Sequence, residues 1–518
     1  METPTIQLPD VFNAAAEFVD RPIGEGLASR IALRYEGRTC TYGEVAEAAN
    51  RVGNALRALG VEMENRVLLL LYDAPEFVAG FFGAIKMGAV PVPVNTMMRA
   101  QDYEYFLNDS RAKVLIAHRP LWDEVAKVRS RLKYLKHVVI VGEPEPGQHA
   151  FDQWIAQASP ELEPAPTSKD DVAFWLYSSG STGFPKGTVH LQHDMVYCAD
   201  LYARHILNIG LDDVTFSAAK LFFAYGLGNN LYFPLRVGAS AILHPGRPLP
   251  ERIFEVITRE KPTLFFGVPT LYAAMLAIRD AEQKYDLSSL RLCVSAGEAL
   301  PAELYTRWKA RFGTEILDGI GTTEILHIFI SNRAGRVKPG SSGTPVPGYE
   351  AKIVDEEGWS VKLGDIGNLM VKGESTCAYY WNQHAKTKQT IKGEWIITGD
   401  KYYQDDDGYY WYAGRADDML KVGGIWVSPI EVENTLIQHG AVLEAAVVGH
   451  EDDDRLVKPK AFVVLKEDYT ASPALEEELK VFVKDKIAPY KYPRWIAFVP
   501  ELPKTATGKI QRFKLRQS

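Results

Sequence analysis

A segment rich in small hydroxyl residues is the clearest candidate for chemistry in this sequence. Residues 177–187 read Y-S-S-G-S-T-G-F-P-K-G and follow an apolar run, 172–176, that predicts a strand. Because small side chains let backbone N–H groups approach and surround an anion, a polyphosphate is the natural ligand. Lys186 adds positive charge, and hydroxyl donors come from Ser178, Ser179, Ser181 and Thr182. A flexible Ser/Gly linker is the alternative, but the preceding strand and the lysine argue against it.

The loop is not a Walker A motif, because its glycine-to-lysine spacing differs and Gly187 follows the lysine. A second candidate, D-G-I-G-T-T-E, occupies residues 318–324. It lacks the third glycine of a dinucleotide fingerprint, since Glu324 stands there. A carboxylate beside two hydroxyls suits a magnesium ion bound to phosphates, although a plain turn is an equally good interpretation of this segment alone.

Four weaker motifs lie in the second half of the chain. They are S-A-G-E-A-L at 295–300, T-G-D at 398–400, G-R-A-D-D at 414–418 and P-K-T-A-T-G-K-I at 503–510. The lysine of the last motif, Lys509, could be a mobile cation brought to a reaction centre. Alone, such a lysine is more often part of a solvated turn.

The elements that must position these motifs alternate between strand and helix. Residues 66–71, 76–87 and 89–94 predict a strand, a helix and a second strand, which is a βαβ unit with a parallel sheet. Short apolar runs continue the pattern at 113–117, 138–141, 173–177, 240–243, 263–266, 291–295 and 315–317. Residues 343–412 are rich in Gly, Pro and short strands, as in a small barrel or a distorted sheet.

We expect an α/β protein whose large N-terminal domain, residues 1–416, combines βαβ-type sheets with that small barrel. A boundary near residues 416–418 leaves a small, mobile α+β C-terminal domain, residues 417–518. Its predicted helices span 430–439 and 475–487, and its predicted strands span 442–448 and 461–466.

Composition excludes several classes of function. The chain has 518 residues, of which 46% are hydrophobic and 24% charged, with a net charge of −8. The absence of a basic block argues against nucleic acid and anionic membranes as partners. Four widely separated cysteines (Cys40, Cys198, Cys293 and Cys377) predict neither a zinc cluster nor disulfides. No signal peptide or membrane span is apparent, so we expect a cytoplasmic protein.

Taken together and in order, the motifs resemble those of the adenylate-forming superfamily of acyl-CoA synthetases, luciferases and adenylation domains. The resemblance extends from Tyr35 to Arg516. Three segments look like the benzoate-CoA ligase group within it: 216–229, 326–332 and 488–495. Phe223 and Tyr225 could form a flat apolar slot, with Gly321 leaving room for a ring, although ordinary core packing also explains such aromatics.

The chain departs from that group's usual pattern at three places. It has Gly367-Asn368 where Gly-Glu is common, which concerns the barrel. It has K-V-G-G and Trp at 421–424 and 426 in place of K-V-S-G and Tyr, and T-T-E-I at 322–325 in place of S-T-E-M. The last two changes bear on the exact aryl substrate and on the second half-reaction.

The resemblance implies an aryl-CoA ligase that uses ATP, Mg²⁺ and coenzyme A. It implies that residues 178–186, including Gly180 and Gly183, cradle the β- and γ-phosphates, that Thr323 contacts the α-phosphate, and that Glu324 holds magnesium. The remaining implied roles are the adenine border (Gly297, Glu298, Ala299, Asp318), the ribose (Asp400, Arg415), the adenylation cation (Lys509), the aryl pocket (Phe223, Ala224, Tyr225, Gly321, His327, Ile328), the hinge (Asp417) and the pantetheine tunnel (Gly424).

Several alternatives stay open at this stage. The acceptor could be a carrier protein or an amine in place of coenzyme A, or the chain could be a non-catalytic nucleotide-binding relative. His327 is as well explained as a pocket wall as it is by contact with the substrate carboxylate. Related ligases also suggest a lysine acetyltransferase and deacetylase acting on Lys509 as partners, and the chain could be a monomer or a homodimer.

Overall fold

The computed structural model describes residues 4–178, 185–416, 418–422, 425–452, 456–488, 491–504 and 510–516. Two large sheets dominate the first 345 residues. One is entirely parallel, and its five strands are, in spatial order, Val90–Pro93, Arg66–Leu70, Val114–His118, His137–Val141 and His149–Ala150. The predicted βαβ unit is confirmed within one to two residues, with its helix at Pro75–Lys86.

The second sheet has nine strands, with a parallel centre and antiparallel additions at both edges. In spatial order its strands are Thr344–Pro345, Ile328–Ser331, Ile316–Gly321, Leu292–Ser295, Leu264–Gly267, Val214–Ser217, Ser240–Leu243, Ile31–Tyr35 and Arg38–Thr41. Two of the predicted motifs, 295–300 and 318–324, therefore begin where the parallel pairing of two neighbouring strands ends, at Ser295 and Asp318, and α/β proteins bind ligands at this edge of a sheet.

A third sheet contains the strand before the hydroxyl-rich loop. Val172–Ser178 pairs with Lys186–Leu191, which pairs in turn with Tyr379–Tyr380, and both pairings are antiparallel. Residues 173–177 thus form a strand as predicted, but the βαβ pattern is wrong for them. The connection to the next strand is only seven residues long, too short for the crossover that parallel neighbours require.

Helices cover the sheets of the N-terminal part. The helices Tyr42–Ala58 and Pro75–Lys86 pack closely, because a Cβ at Gly83 would lie 2.6 Å from the Ala49 carbonyl oxygen. The other α-helices of six or more residues are Ala100–Asp109, Arg119–Ala126, Phe151–Ala156, Pro250–Glu260, Pro269–Ala277, Ala302–Phe312 and His384–Thr390.

Residues 350–415 form a five-stranded sheet that does not close. Its strands are Glu350–Val354, Gly367–Lys372, Ile391–Lys392, Trp395–Gln404 and Tyr410–Arg415. Of the two forms that the sequence predicts for this region, the distorted open sheet is the one observed, and the barrel is not.

The C-terminal part is α+β and smaller, as predicted. Val442–Glu451, Val457–Leu465 and Trp495–Phe498 form a sheet, Leu420–Val422 pairs with Ile425–Val427, and the helices are Pro429–Ile437, Pro473–Lys486 and Arg512–Leu515. A buried ion pair ties its last helix to its first, with Arg512 Nη2 2.8 Å from Glu433 Oε2. Among the described residues, no helix is long and apolar enough to cross a membrane.

Candidate active site

The two ends of the hydroxyl-rich loop lie side by side. Ser178 and Lys186 face each other in the antiparallel ladder. The hydroxyl of Thr188, on the same strand as Lys186, donates to Ser178 Oγ at 3.3 Å. Five predicted loop residues, Ser179, Gly180, Ser181, Thr182 and Gly183, lie outside the described part of the chain.

Glu324 is the point where the predicted phosphate residues converge. Its Oε1 accepts hydrogen bonds from the Tyr380 hydroxyl at 2.7 Å and from Ser178 Oγ at 3.3 Å. Lys186 Nζ lies 3.7 Å from the same oxygen and 4.3 Å from the centre of the Tyr380 ring. Burial lowers the pKa of Lys186, and the Glu324 carboxylate opposes that shift.

The turn that carries Glu324 is short and strained. Thr323–Ile325 forms a single 3-10 turn, capped by the Thr322 hydroxyl, which accepts from the Ile325 N–H at 3.2 Å. Leu326 then adopts φ of +72°. A non-glycine residue in such a conformation costs about 1–3 kcal/mol and persists only where surrounding contacts enforce it. The contacts around this segment must therefore compensate for the free-energy cost of its strained backbone.

The segments predicted to border adenine meet where the parallel pairing of two neighbouring strands ends, at Ser295 and Asp318. Asp318 is buried, no described residue forms a hydrogen bond with its Oδ1, and burial raises its pKa to about 8. An unpartnered buried oxygen leaves room for a donor such as an amino group. Glu298 Oε1 accepts from the backbone N–H of Ile510 at 3.0 Å and so links the two parts of the chain.

Asp400 and Arg415 face each other on paired strands. Arg415 Nη1 donates to Asp400 Oδ1 at 2.9 Å. Gly399, within the strand Trp395–Gln404, has φ of +77°, and a Cβ there would lie 3.1 Å from Arg415 Nη2, so the strand needs glycine at this position. A carboxylate held this way can accept from a pair of neighbouring hydroxyls.

His327, one of the residues predicted for the aryl pocket, is a buried, neutral histidine that contacts Tyr225 and Gly321. His327 Nε2 lies 3.2 Å from the carbonyl oxygen of Tyr225 and 3.1 Å from Asn229 Oδ1. Since a carbonyl only accepts, Nε2 carries the hydrogen, and Nδ1 has no partner in the part of the chain that the structure describes. Burial lowers the pKa of His327 to about 3. His327 is therefore uncharged at neutral pH.

Close packing behind the pocket depends on two glycines. A Cβ at Gly228 would lie 2.4 Å from His327 Cδ2, and one at Gly321 would lie 2.6 Å from the His327 carbonyl oxygen. The Tyr225 hydroxyl donates to the carbonyls of Gly267 and Val294, both at 3.2 Å. Ile328 is buried against Gly319, Ala224 is half-buried against the core, and the ring of Phe223 contacts that of Phe222.

A cleft of about 1360 Å³ joins these groups. Its lining includes Ser178, Lys186, Gly297, Glu298, Ala299, Asp318, Gly321, Thr323, Glu324, Asp400 and Arg415 from the prediction, and Ile510 and Arg512 from the C-terminal part. Of the six residues predicted for the aryl pocket, Gly321 lines the cleft directly, and His327 packs behind it. The predicted Lys509, Asp417 and Gly424 lie outside the described residues.

The donor set fits magnesium held partly by phosphate. Among the described residues, no group of three or more His, Cys, Asp or Glu side chains could enclose a metal ion. Mg²⁺ is commonly held by one or two carboxylates together with substrate phosphates, and Glu324 at the mouth of the phosphate loop provides such a carboxylate.

Family models match both parts of the chain. A model described as AMP-binding enzyme matches residues 24–381, and one described as AMP-binding enzyme C-terminal domain matches residues 431–509. The chain belongs to the AMP-binding enzyme family. The resemblance inferred from the order of its motifs is thereby confirmed.

Curated relatives of this AMP-binding enzyme include ligases of aromatic acids. It is 53% identical to benzoate–CoA ligase of Thauera aromatica over 99% of this chain and 98% of the relative. It is 46% identical to 4-hydroxybenzoate–CoA/benzoate–CoA ligase of Rhodopseudomonas palustris over 98% of this chain and 94% of the relative.

Solved structures of CoA ligases for aromatic acids are also similar to this chain. The crystal structure of the anthranilate CoA ligase AuaEII in complex with anthranoyl-AMP matches with a TM-score of 0.95 and 50% identity, over 98% of both chains. A benzoate CoA ligase from Burkholderia xenovorans LB400 matches with a TM-score of 0.90 and 50% identity, over 98% of this chain and 100% of that one.

Sequence reasoning missed two residues that the structure brings to the site. Tyr380 donates to Glu324, and His190 contacts the carbonyl of Thr323. The alternation of Lys186, Thr188 and His190 along one strand was the available signal, since such residues share one face of a sheet. Tyr380 gave no comparable signal, because it enters by a long-range strand pairing.

Proposed function

We propose that this enzyme is an ATP-dependent aryl-CoA ligase that makes benzoyl-CoA, or a ring-substituted benzoyl-CoA, from the aryl acid, ATP and coenzyme A. The observation that carries the proposal is the convergence of Ser178, Lys186 and Tyr380 on Glu324 in a cleft bordered by both parts of the chain. The 53% identity to a benzoate–CoA ligase over nearly the full length supports an acid of the benzoate type.

The first half-reaction makes a mixed anhydride. A carboxylate oxygen of the aryl acid attacks the α-phosphorus of ATP, the bond from that phosphorus to the bridging oxygen breaks, and pyrophosphate leaves. Since the substrate supplies its own nucleophile, the protein contributes position and compensation of charge. Lys186 and the loop that it ends would hold the β- and γ-phosphates, and Thr323 would contact the α-phosphate.

Glu324 would hold the magnesium ion, which would supply positive charge to the phosphate oxygens when bound. Asp318, with its unpartnered buried oxygen, would border the adenine together with Gly297, Glu298 and Ala299. Asp400, oriented by Arg415, would accept from the ribose hydroxyls. Tyr225, His327 and Gly321 would form the wall against the aryl ring.

In the second half-reaction the thiol sulfur of coenzyme A attacks the acyl carbon, the bond to the phosphate oxygen breaks, and AMP leaves. One site must thus hold pyrophosphate first and admit a thiol later. A small C-terminal domain, residues 417–518, that turns on a hinge at Asp417 would present Lys509 in the first step and the loop around Gly424 in the second.

The test is a panel of aryl and alkyl carboxylates, assayed for AMP formation with and without coenzyme A. Benzoate and small ring-substituted benzoates should give a higher kcat/KM than octanoate, with leakage among close analogues, since one misfitting methylene costs only about 1–3 kcal/mol. A higher kcat/KM for octanoate would refute the aryl assignment. If AMP formation did not depend on coenzyme A but increased with an added amine, the result would favour amide formation.

Regulation by acetylation is part of the proposal. An acetylated Lys509 would lose the charge needed for adenylation, which would make a lysine acetyltransferase and a deacetylase partners of this enzyme. Lys509→Gln should then lose ATP–pyrophosphate exchange but still convert synthetic benzoyl-AMP to the thioester. Retained exchange would refute this role. A monomeric or homodimeric protein in the cytoplasm remains our expectation.

A further inference from the structure

His190 joins the strand behind the phosphate loop to the turn that carries Glu324. Its side chain is completely buried and its ring stacks on Phe174, with centroids 5.2 Å apart. Nε2 lies 2.8 Å from the carbonyl oxygen of Thr323, and Nδ1 lies 2.7 Å from Asp194 Oδ2. Both ring nitrogens are therefore used within the protein.

The partners fix which way the ring points. A carbonyl oxygen can only accept, so Nε2 carries a hydrogen and donates it to Thr323. Asp194 is also completely buried, and its Oδ2 accepts from the backbone N–H of Leu191 at 3.1 Å. The 2.7 Å between Nδ1 and Asp194 Oδ2 requires one hydrogen between these two atoms, and this hydrogen bond to a buried, fixed side chain orients the imidazole ring.

Every backbone carbonyl of the short turn that His190 contacts accepts a hydrogen bond from a residue outside the turn. The Glu324 carbonyl accepts from the Cys377 N–H at 2.7 Å, and the Ile325 carbonyl accepts from Ser375 Oγ at 2.8 Å. With His190 on Thr323, three consecutive carbonyls have donors from outside the turn. These contacts precede Leu326, whose φ is positive, and they hold the backbone that leads into it.

We propose that His190, oriented by Asp194, is a positioning residue for adenylation: its donor to the Thr323 carbonyl fixes the backbone from which the α-phosphate contact and the magnesium carboxylate project. The proposal rests on the proposed function. His190 touches no reacting atom in this account. It acts through the turn, so its loss should lower the rate of adenylation and leave binding of the aryl acid unchanged.

Two substitutions of similar size separate the two hydrogen bonds. The glutamine amide of His190→Gln reaches as far as Nε2 and can still donate to Thr323. The shorter amide of His190→Asn reaches only the place of Nδ1, beside Asp194. We expect His190→Asn to lose on the order of 10²-fold in kcat for ATP–pyrophosphate exchange, as a misplaced reacting group can. His190→Gln should stay close to wild type.

Three readouts separate positioning from general damage. The KM for benzoate and thioester formation from synthetic benzoyl-AMP should be the same in both variants. Amide hydrogen exchange at Cys377, which reports on its bond to the Glu324 carbonyl, should be faster in His190→Asn than in His190→Gln. The same pair of substitutions at His439, which bonds Glu478 in the C-terminal part, should show no such difference.

Equal rates of exchange in the two His190 variants would overturn the proposal, as would failure of both to fold, because either result would mean that the histidine merely supports the core. If the wild-type enzyme gave no exchange with any aryl acid, the proposed function would fail. The Cys377 amide comparison, which needs no turnover, would still decide whether His190 holds the turn.

Discussion

Two regions, named for the roles proposed above, are built on different physics: the phosphate end around Glu324, and the aryl end around His327, which packs behind the cleft wall at Gly321. At the phosphate end, charged and hydroxyl groups converge on one carboxylate oxygen over distances of 2.7 to 3.7 Å. At the aryl end, a neutral histidine sits among the rings of Tyr202, Tyr225 and Phe233, with centroids 4.4 to 5.6 Å apart. The phosphate end compensates charge, and the aryl end provides an apolar surface that discriminates by fit.

Under the proposed function, this difference gives the two ends different parts of the reaction. Compensation of charge that develops during a reaction changes its rate, because such contacts are stronger in the transition state than in the ground state. An apolar wall discriminates by fit, and each methylene contributes only about 1–3 kcal/mol to that discrimination. Damage at the phosphate end should therefore lower kcat, and damage at the aryl end should alter selectivity and stability.

Lys186→Met is the change with the largest expected effect. It keeps the unbranched side chain to within one atom of its length but removes the cation 3.7 Å from Glu324 and beside the phosphate loop. ATP–pyrophosphate exchange should fall on the order of 10²- to 10³-fold, as it does when one preorganised charge contact is removed. The ratio of kcat/KM values for benzoate and 4-hydroxybenzoate should not change. A changed ratio with little loss of rate would break the division between the two ends.

Tyr380→Phe sharpens the comparison within the phosphate end. It removes the 2.7 Å hydrogen bond to Glu324 but keeps the ring under Lys186. A hydrogen bond to a charged group contributes about 1.5–3 kcal/mol, so exchange should fall roughly 10- to 100-fold. The apparent affinity for Mg²⁺ should be measured alongside. Tyr225→Phe, which removes a hydroxyl at the aryl end, is the matched control and should alter KM for the aryl acid more than kcat.

The smallest expected effect concerns stability at the aryl end. Burial lowers the pKa of folded His327 to about 3, below its ordinary value of 6.5, so the folded state binds fewer protons than the unfolded chain between those values. Its contribution to stability is complete above about pH 6.5 and is lost as the pH falls towards 3. The Tm of wild type should drop more between pH 7 and pH 4.5 than that of His327→Asn. An equal drop would show that His327 is not the buried, neutral group described.

Local patterns predicted the elements well. The helix Pro75–Lys86 and the strand Ser240–Leu243 lie at or within one residue of their predicted places, because apolar periodicity follows from burial on one or both faces. A local sequence pattern does not contain the information on which strands become neighbours in a sheet. The open sheet of residues 350–415 and the antiparallel place of Val172–Ser178 both depend on long-range pairing.

The same limit applies to the site. Ser178, Lys186 and Glu324 could be predicted to meet because each belongs to a motif whose chemistry suits a phosphate. Tyr380 reaches them only because its strand pairs with Thr188. No glycine directly follows His190 and no motif begins at it, so the local sequence does not mark it as part of the site. Its partner Thr323 is 133 residues away in the chain. Such contacts follow from topology more than from local composition.

The fate of one oxygen atom tests the central claim most directly. Wild-type enzyme is incubated with ATP, coenzyme A and benzoate labelled with ¹⁸O in both carboxylate oxygens. The products are then separated, and their masses are measured by mass spectrometry. If the carboxylate attacks the α-phosphorus, AMP carries one labelled oxygen, benzoyl-CoA carries the other, and pyrophosphate carries none. Unlabelled AMP, or label in pyrophosphate, would contradict an aryl-adenylate and with it this account of the phosphate end.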